Sequence, residues 1–284
     1  MVLTPKTVIG VFDSGVGGLS VLRAIWQELP FTPAIYLADQ MHVPYGQRPI
    51  EEVRAFSLGI VRFFLKQGVK LIVVACNAAS AASLRLLRET FPGIPFVGME
   101  PAIKPAAETT LSGVVGVLAT PATFQGELYA SVVERFASDV LILQHICPGL
   151  VNQIENGNLD GKDTRNILED ALLPMLPLGI DTVVLGCTHY PFVIPLIQAI
   201  VGDEVRVIDP APAVARQTRR LLEEYDLNQR NPASSSTALR QPFLTSFFTT
   251  GDPQGLQFVI PKLLNQKFTV KKATWSEGTL IRGD

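Results

Sequence analysis

The chain reads as an α/β protein made of two pseudo-symmetric domains, each a mostly parallel sheet flanked by helices, with an active site in the cleft between them. Three observations carry this reading. Short apolar runs alternate with segments of helical spacing. The run Val8-Ile9-Gly10-Val11-Phe12-Asp13-Ser14 is repeated as Val114-Val115-Gly116-Val117-Leu118-Ala119-Thr120, a shift of 106. A second pair of strands, ending in Ala75-Cys76-Asn77 and Gly186-Cys187-Thr188, repeats in the same order at a shift of 111. Two matched pairs at nearly one shift point to a duplicated unit.

Taken in order, residues 8–12 form the first strand. Residues 18–27 have helical spacing, with Leu19, Leu22 and Ile25 on one side. Residues 34–37 form a short strand. The clearest amphipathic helix spans 50–67: Pro49 suits its start, Glu51 and Glu52 complement its positive end, and Gly68 its stop. Residues 69–75 are a buried strand, followed by an Ala-rich helix over 77–90 that Pro92 and Pro95 close. The pattern restarts with a strand at 114–118, a helix at 123–136 and a strand at 139–143. Next come a helix at 163–176, a strand at 181–185, a helix at 193–200, a strand at 205–208 and a helix at 211–225. Residues 229–241, rich in Asn, Pro and Ser, are a surface loop. Residues 244–250 are a last strand, and the tail after Asn265 reads as irregular.

Composition excludes several function classes. The 284 residues are 47% hydrophobic, enough for two modest cores, and carry a formal net charge of −2. That balance gives no reason to expect nucleic acid or an anionic membrane surface as the main partner. The uncharged stretches 109–126 and 182–202 approach a spanning length. Pro121, and Pro191 with Pro195, break them. One Lys precedes the strand at 8–12 and Asp13 follows it, which is not the pattern of a secretory signal. Three cysteines, an odd number, make a disulfide framework a poor fit. They suit a reducing cytoplasm. No Cys-x-x-Cys occurs, and His42, His145 and His189 lack ligand spacing, so no metal is expected.

In open parallel sheets, ligands bind beyond the carboxyl ends of the strands. Asp13, Ser14, Cys76, Asn77, Thr120, Cys187, Thr188 and His189 all fall at such ends. A thiol between a strand and a helix start is biased toward thiolate, which is both nucleophile and base. A lone Cys after a valine-rich strand is ordinarily an inert buried residue. Two at equivalent, polar-flanked ends suggest paired chemistry. Cys147, before Pro148-Gly149, has no matching context and is assigned to structure. Asp13-Ser14-Gly15-Val16-Gly17-Gly18 lacks the Walker Lys and the dinucleotide spacing. Its glycines suit close approach of backbone N–H groups to an anion, and Asp13 suits an ammonium or a proton-transfer role. Pro44-Tyr45-Gly46 reads as a turn or a pocket wall. Glu155 is a further ionisable candidate.

These segments, with Phe248-Thr249-Thr250-Gly251 and Pro148-Gly149-Leu150-Val151 ahead of Glu155, resemble the signature of bacterial glutamate racemases. The resemblance implies a cofactor-independent enzyme that interconverts L- and D-glutamate and supplies D-glutamate for peptidoglycan. It implies Cys187 as the thiol facing the Cα proton of L-glutamate and Cys76 as the one facing that of D-glutamate. Asp13 and His189 would assist them. Ser14, Pro44, Tyr45, Gly46, Asn77, Thr120 and Thr188 would bind substrate, with Glu155 a possible addition. It further implies a homodimer, and a first domain of residues 1–98 plus 209–284 around a second of 99–208. Aspartate as substrate, decarboxylation as in malonate decarboxylases, or gyrase binding are the competing implications. Retention of both thiols argues against the last two. The chain departs from the family at Ala78, where Thr is usual, with Ser80 the nearest hydroxyl. It departs again at Ala38-Asp39-Gln40, where Gly-Asp-Thr is usual.

Overall fold

The computed structural model describes residues 8–227 and 244–283. The predicted surface loop at 229–241 lies outside them. The first half runs β1 (Ile9–Asp13), α1 (Leu19–Glu28), β2 (Ala34–Ala38), α2 (Ile50–Lys66), β3 (Leu71–Val74), α3 (Asn77–Thr90) and β4 (Phe96–Gly98). After α4 (Ile103–Thr109) the second half runs β5 (Val114–Ala119), α5 (Pro121–Gln125), α6 (Glu127–Phe136), β6 (Leu141–Ile146), α7 (Leu150–Glu155), α8 (Lys162–Leu172), β7 (Thr182–Gly186), α9 (Ile194–Val201) and β8 (Arg206–Ile208). The chain continues through α10 (Ala211–Glu224), β9 (Thr245–Thr249), α11 (Pro253–Leu264), β10 (Val270–Ser276) and β11 (Thr279–Arg282).

The strands form two sheets, ordered β11-β10-β9-β2-β1-β3-β4 and β6-β5-β7-β8. Every pairing is parallel except β10 with β11. The duplication is visible in this topology. In each half the first strand lies between the second and third, and the fourth lies outside the third. So β1 corresponds to β5 and β3 to β7, the pairings the sequence repeats predict. Strands β1, β3 and β7 are buried along their whole length, which is why they read as unbroken apolar runs. Buried residues of both halves join in one apolar cluster, from Ile9 and Leu22 to Leu185 and Tyr190.

Several elements depart from the sequence reading. The helix expected at 123–136 is two helices, because Gly126 is extended (φ −72°, ψ 138°) and caps α6. A Cβ there would lie 2.9 Å from Ala81 of α3. The strand expected at 139–143 is shifted to Leu141–Ile146. Helices α4, α7 and α11 and strand β4 are too short or too Pro-rich for a periodicity to show. The tail is not irregular: Val270 and Ala273 of β10 and Leu280 of β11 are buried in a hairpin. Its two-residue turn, Glu277-Gly278, has positive φ at both positions (47° and 73°), as a type I′ hairpin turn requires.

Candidate active site

Cys76 caps the N-terminus of α3 in extended conformation, and its sulfur accepts the Ala79 N–H at 3.4 Å. This is the strand-to-helix placement read from sequence. Cys187 differs. Pro191 and Pro195 delay the following helix, and a 3₁₀ turn, Tyr190–Val193, intervenes before α9. The Cys187 sulfur lies instead 3.7 Å from His189 Nδ1. Both thiols are 5% exposed and line one pocket with Ser14, Pro44, Tyr45, Gly46, Asn77, Thr120, Thr188 and His189. Ala78 and Val151 complete the wall. Val151 was not singled out in the sequence, although it ends the Pro148-Gly149-Leu150-Val151 block.

Asp13 stands behind this wall. It ends β1, accepts the Gly15 N–H at 2.9 Å, and accepts the Thr188 hydroxyl at 3.1 Å across the two halves. Burial raises its carboxyl above the usual carboxylate range, against the pull of the His189 charge. Burial also pushes the Cys76 thiol well above its ordinary value; Asp13 adds to this, and the Ala79 N–H opposes it. The Cys76 side of the pocket therefore favours neutral, proton-bearing groups.

The Cys187 side is built as an ion pair. His189 Nε2 meets Glu155 Oε1 at 2.6 Å. Burial disfavours a charged imidazole, but the contacts with Cys187 and Glu155 prevail and hold His189 well above its usual value. Burial pushes Glu155 upward too, yet His189, the Val16 N–H and Gln40 hold it below the usual range.

The glycine-rich loop has an anion to approach, and within the protein that anion is Glu155. The Val16 N–H donates to Glu155 Oε1 at 2.7 Å. A Cβ on Gly15 would lie 1.8 Å from that oxygen, and one on Gly17 would lie 2.4 Å from His189 Nδ1. So the loop of the first half is glycine where the His189–Glu155 pair of the second half presses on it.

The pocket's polar capacity is open in one place. The Asn77 side chain has its nitrogen and its oxygen both buried without a partner among the described residues. A native fold rarely leaves a whole buried amide unsatisfied. Tyr45 is held by Asp39, which accepts its hydroxyl at 2.5 Å and also bonds His42, Thr250 and Trp275. Ala78 brings no hydroxyl to its own position on the wall. Ser80 does not replace it, because its hydroxyl donates to the Val74 carbonyl and accepts the Met99 N–H.

Paired parallel sheets with a thiol from each in one pocket define a class, and the family model described as Asp/Glu/Hydantoin racemase matches residues 9–218. The chain is 48% identical to the glutamate racemase of Ectopseudomonas mendocina, over 92% of this chain and 96% of that protein. Its structure is similar to Escherichia coli glutamate racemase solved with L-glutamate and the activator UDP-MurNAc-Ala. There the TM-score is 0.80 and the identity 34%, covering 94% of this chain and 98% of that one. It is also similar to Francisella tularensis glutamate racemase solved with D-glutamate, with TM-score 0.79 and 27% identity over 96% and 98% of the two chains. The chain belongs to the glutamate racemase family.

Proposed function

We propose that this protein interconverts L- and D-glutamate without a cofactor, with Cys76 and Cys187 as the two bases, and so supplies D-glutamate for peptidoglycan. The observation that carries this reading is the meeting of two thiols in one pocket, each from the same position of a repeated sheet. The Cα–H of an amino acid is a very weak acid, and one base reaches one face only. Inversion without moving that base needs a proton donor across the substrate plane.

The asymmetry of the pocket suits one starting state. Cys187, beside a protonated His189, removes the Cα proton of L-glutamate. Cys76, held as a thiol by burial, delivers a proton to the opposite face, with Asp13 behind it. The reverse reaction exchanges these roles. The Asn77 amide, the Ser14, Thr120 and Thr188 hydroxyls, and Tyr45 and Gly46 with Pro44 hold the carboxylates and the ammonium. Fixed donors in a water-poor cleft stabilise the carbanionic charge of the transition state.

The same reading takes residues 1–98 with 209–284 as one domain and 99–208 as the other, in a cytoplasmic homodimer that needs neither nucleic acid nor a membrane. Relatives named for glutamate and solved with each enantiomer support the substrate. The test is circular dichroism of L-glutamate with purified protein and no added cofactor. Decay of the signal to zero is expected. A signal that stays constant rules the reading out. Light scattering on the purified protein checks the dimer.

A further inference from the structure

Gln40 stands two residues beyond the end of β2, in the first half of the molecule, and half-buried. Its amide nitrogen donates to Glu155 Oε2 at 3.0 Å. Its amide oxygen accepts the Thr249 hydroxyl at 2.9 Å, and that hydroxyl in turn accepts the Gly251 N–H at 3.0 Å. Because Thr249 receives an N–H, its own hydrogen is free to point at Gln40. This settles the amide orientation: the flipped form would face an oxygen against a carboxylate. Strands β2 and β9 are hydrogen-bonded neighbours, so the anchor belongs to the rigid sheet of the first half.

The result is one continuous chain of contacts across the cleft. It runs from Gly251 through Thr249, Gln40, Glu155 and His189 to the Cys187 sulfur. Glu155 Oε1 serves both Val16 and His189. Oε2 is bonded by Gln40. Glu155 sits at the last turn of α7 in the second half, so both of its non-histidine partners come from the first.

We propose that Gln40 is a positioning residue for the proton-transfer step: its amide, anchored on the first domain, fixes the Glu155 carboxylate against His189 and so primes Cys187 when the two domains are closed on each other. This rests on the reading of Cys187 and His189 as an acid/base pair. A carboxylate with Oε2 unbonded can rotate, and each hydrogen bond to its charged form that is lost weakens its hold on a neighbouring cation. The other titratable groups around the pair are Asp13, Tyr36, Cys76, Cys147 and Tyr190, and they are the same in wild type and variant.

The experiment compares wild type, Gln40→Leu, Glu155→Gln and the double variant. Two readouts are taken: racemase kcat/KM, and the pH dependence of Cys187 alkylation by iodoacetamide, followed by peptide mass spectrometry. Gln40→Leu should lower kcat/KM about tenfold, the scale of one hydrogen bond to a charged group, and move the acidic limb of Cys187 alkylation to higher pH. The double variant should be no worse than Glu155→Gln by more than about twofold, since Gln40 acts through Glu155. An unmoved alkylation limb overturns the proposal, as do losses that multiply in the double variant. The alkylation needs no substrate, so it judges Gln40 even if glutamate is not racemised; absence of racemisation by wild type would count against the substrate reading alone. Should Gln40→Leu not fold, Gln40→Asn, too short to span from Thr249 to Glu155, is measured in the same way with the same two outcomes.

Discussion

Replacing Gly15 by Ala tests whether the glycine-rich loop exists to admit the acid/base pair. The added Cβ would lie 1.8 Å from Glu155 Oε1 and 2.6 Å from its Cδ. The φ of Gly15 is not positive, so the backbone itself accepts Ala and the whole effect is steric. To reach ordinary van der Waals contact at 3.4 Å the carboxylate oxygen must retreat by roughly 1.6 Å. That stretches its bonds to His189 (2.6 Å) and Val16 (2.7 Å) past useful length. Each hydrogen bond to a charged group is worth about 1.5–3 kcal/mol, and breaking one partner from a buried ion pair costs about 3–5 kcal/mol. We therefore expect a stability loss of about 3 kcal/mol by urea denaturation. The same loss of positioning should lower kcat/KM about 100-fold, at about 1.4 kcal/mol per factor of ten. Gly93→Ala is the control, because a Cβ there meets nothing within 4 Å; it should change stability by less than about 0.5 kcal/mol. Gly15→Ala within twofold of wild-type activity, and as stable as the control, would refute the reasoning.

Three other predictions follow from the same contacts. His189 is raised by folding, so its stabilisation is full below its unfolded value of about 6.5 and is lost as pH rises toward its folded value. Glu155 is lowered, so its stabilisation is full above about 4.3 and is lost as pH falls toward its folded value. The stability difference between wild type and Glu155→Gln should therefore peak between about pH 4.3 and 6.5 and shrink on both sides in urea titrations. Burial, with the nearby Cys187, pushes the Cys147 thiol up to about 12, against a bond from Tyr190; Cys147→Ala should keep racemase activity within a few-fold, and iodoacetamide at pH 8 should leave Cys147 unmodified in the folded protein. Trp275 packs on His42 and Phe56 and bonds Asp39 at 2.8 Å. Trp275→Ala should cost about 2–4 kcal/mol and raise KM, because Asp39 also holds Tyr45 at the pocket.

The parts of the molecule legible in the sequence were those with a strong local signal. The buried strands β1, β3, β5 and β7 read as apolar runs, and their repetition predicted the matched sheets. The pocket residues Ser14, Cys76, Thr120, Cys187, Thr188 and His189 stand at strand ends or in the turns beyond them, a position that parallel sheets assign to ligands, whereas Val151 lies within α7. The links between the halves were not legible. Glu155 was a lone acid until the fold set it against His189, and Gln40 was only a departure from the usual Thr. Nothing local marks a side chain that reaches across a cleft, because its partner is 115 residues away. The difference between Cys76 and Cys187 was also hidden: both follow similar strands, but Pro191 and Pro195 put an imidazole, not a helix start, beside the second sulfur. The C-terminal hairpin was missed for another reason. Its strands carry Lys, Thr, Ser and Arg on their exposed face and few apolar residues, although the Glu277-Gly278 pair was a hairpin signal in plain view.

The central claim is that two thiols on opposite faces of one substrate share the proton transfer. It is tested most directly by incubating L-glutamate with the wild-type protein in D₂O and following Cα deuterium in each enantiomer at early times. Two bases predict deuterium in the D-glutamate formed and almost none in the L-glutamate that remains, with racemisation severely reduced by either Cys76→Ser or Cys187→Ser. Equal early labelling of both enantiomers, or near-full turnover by either single variant, would contradict it.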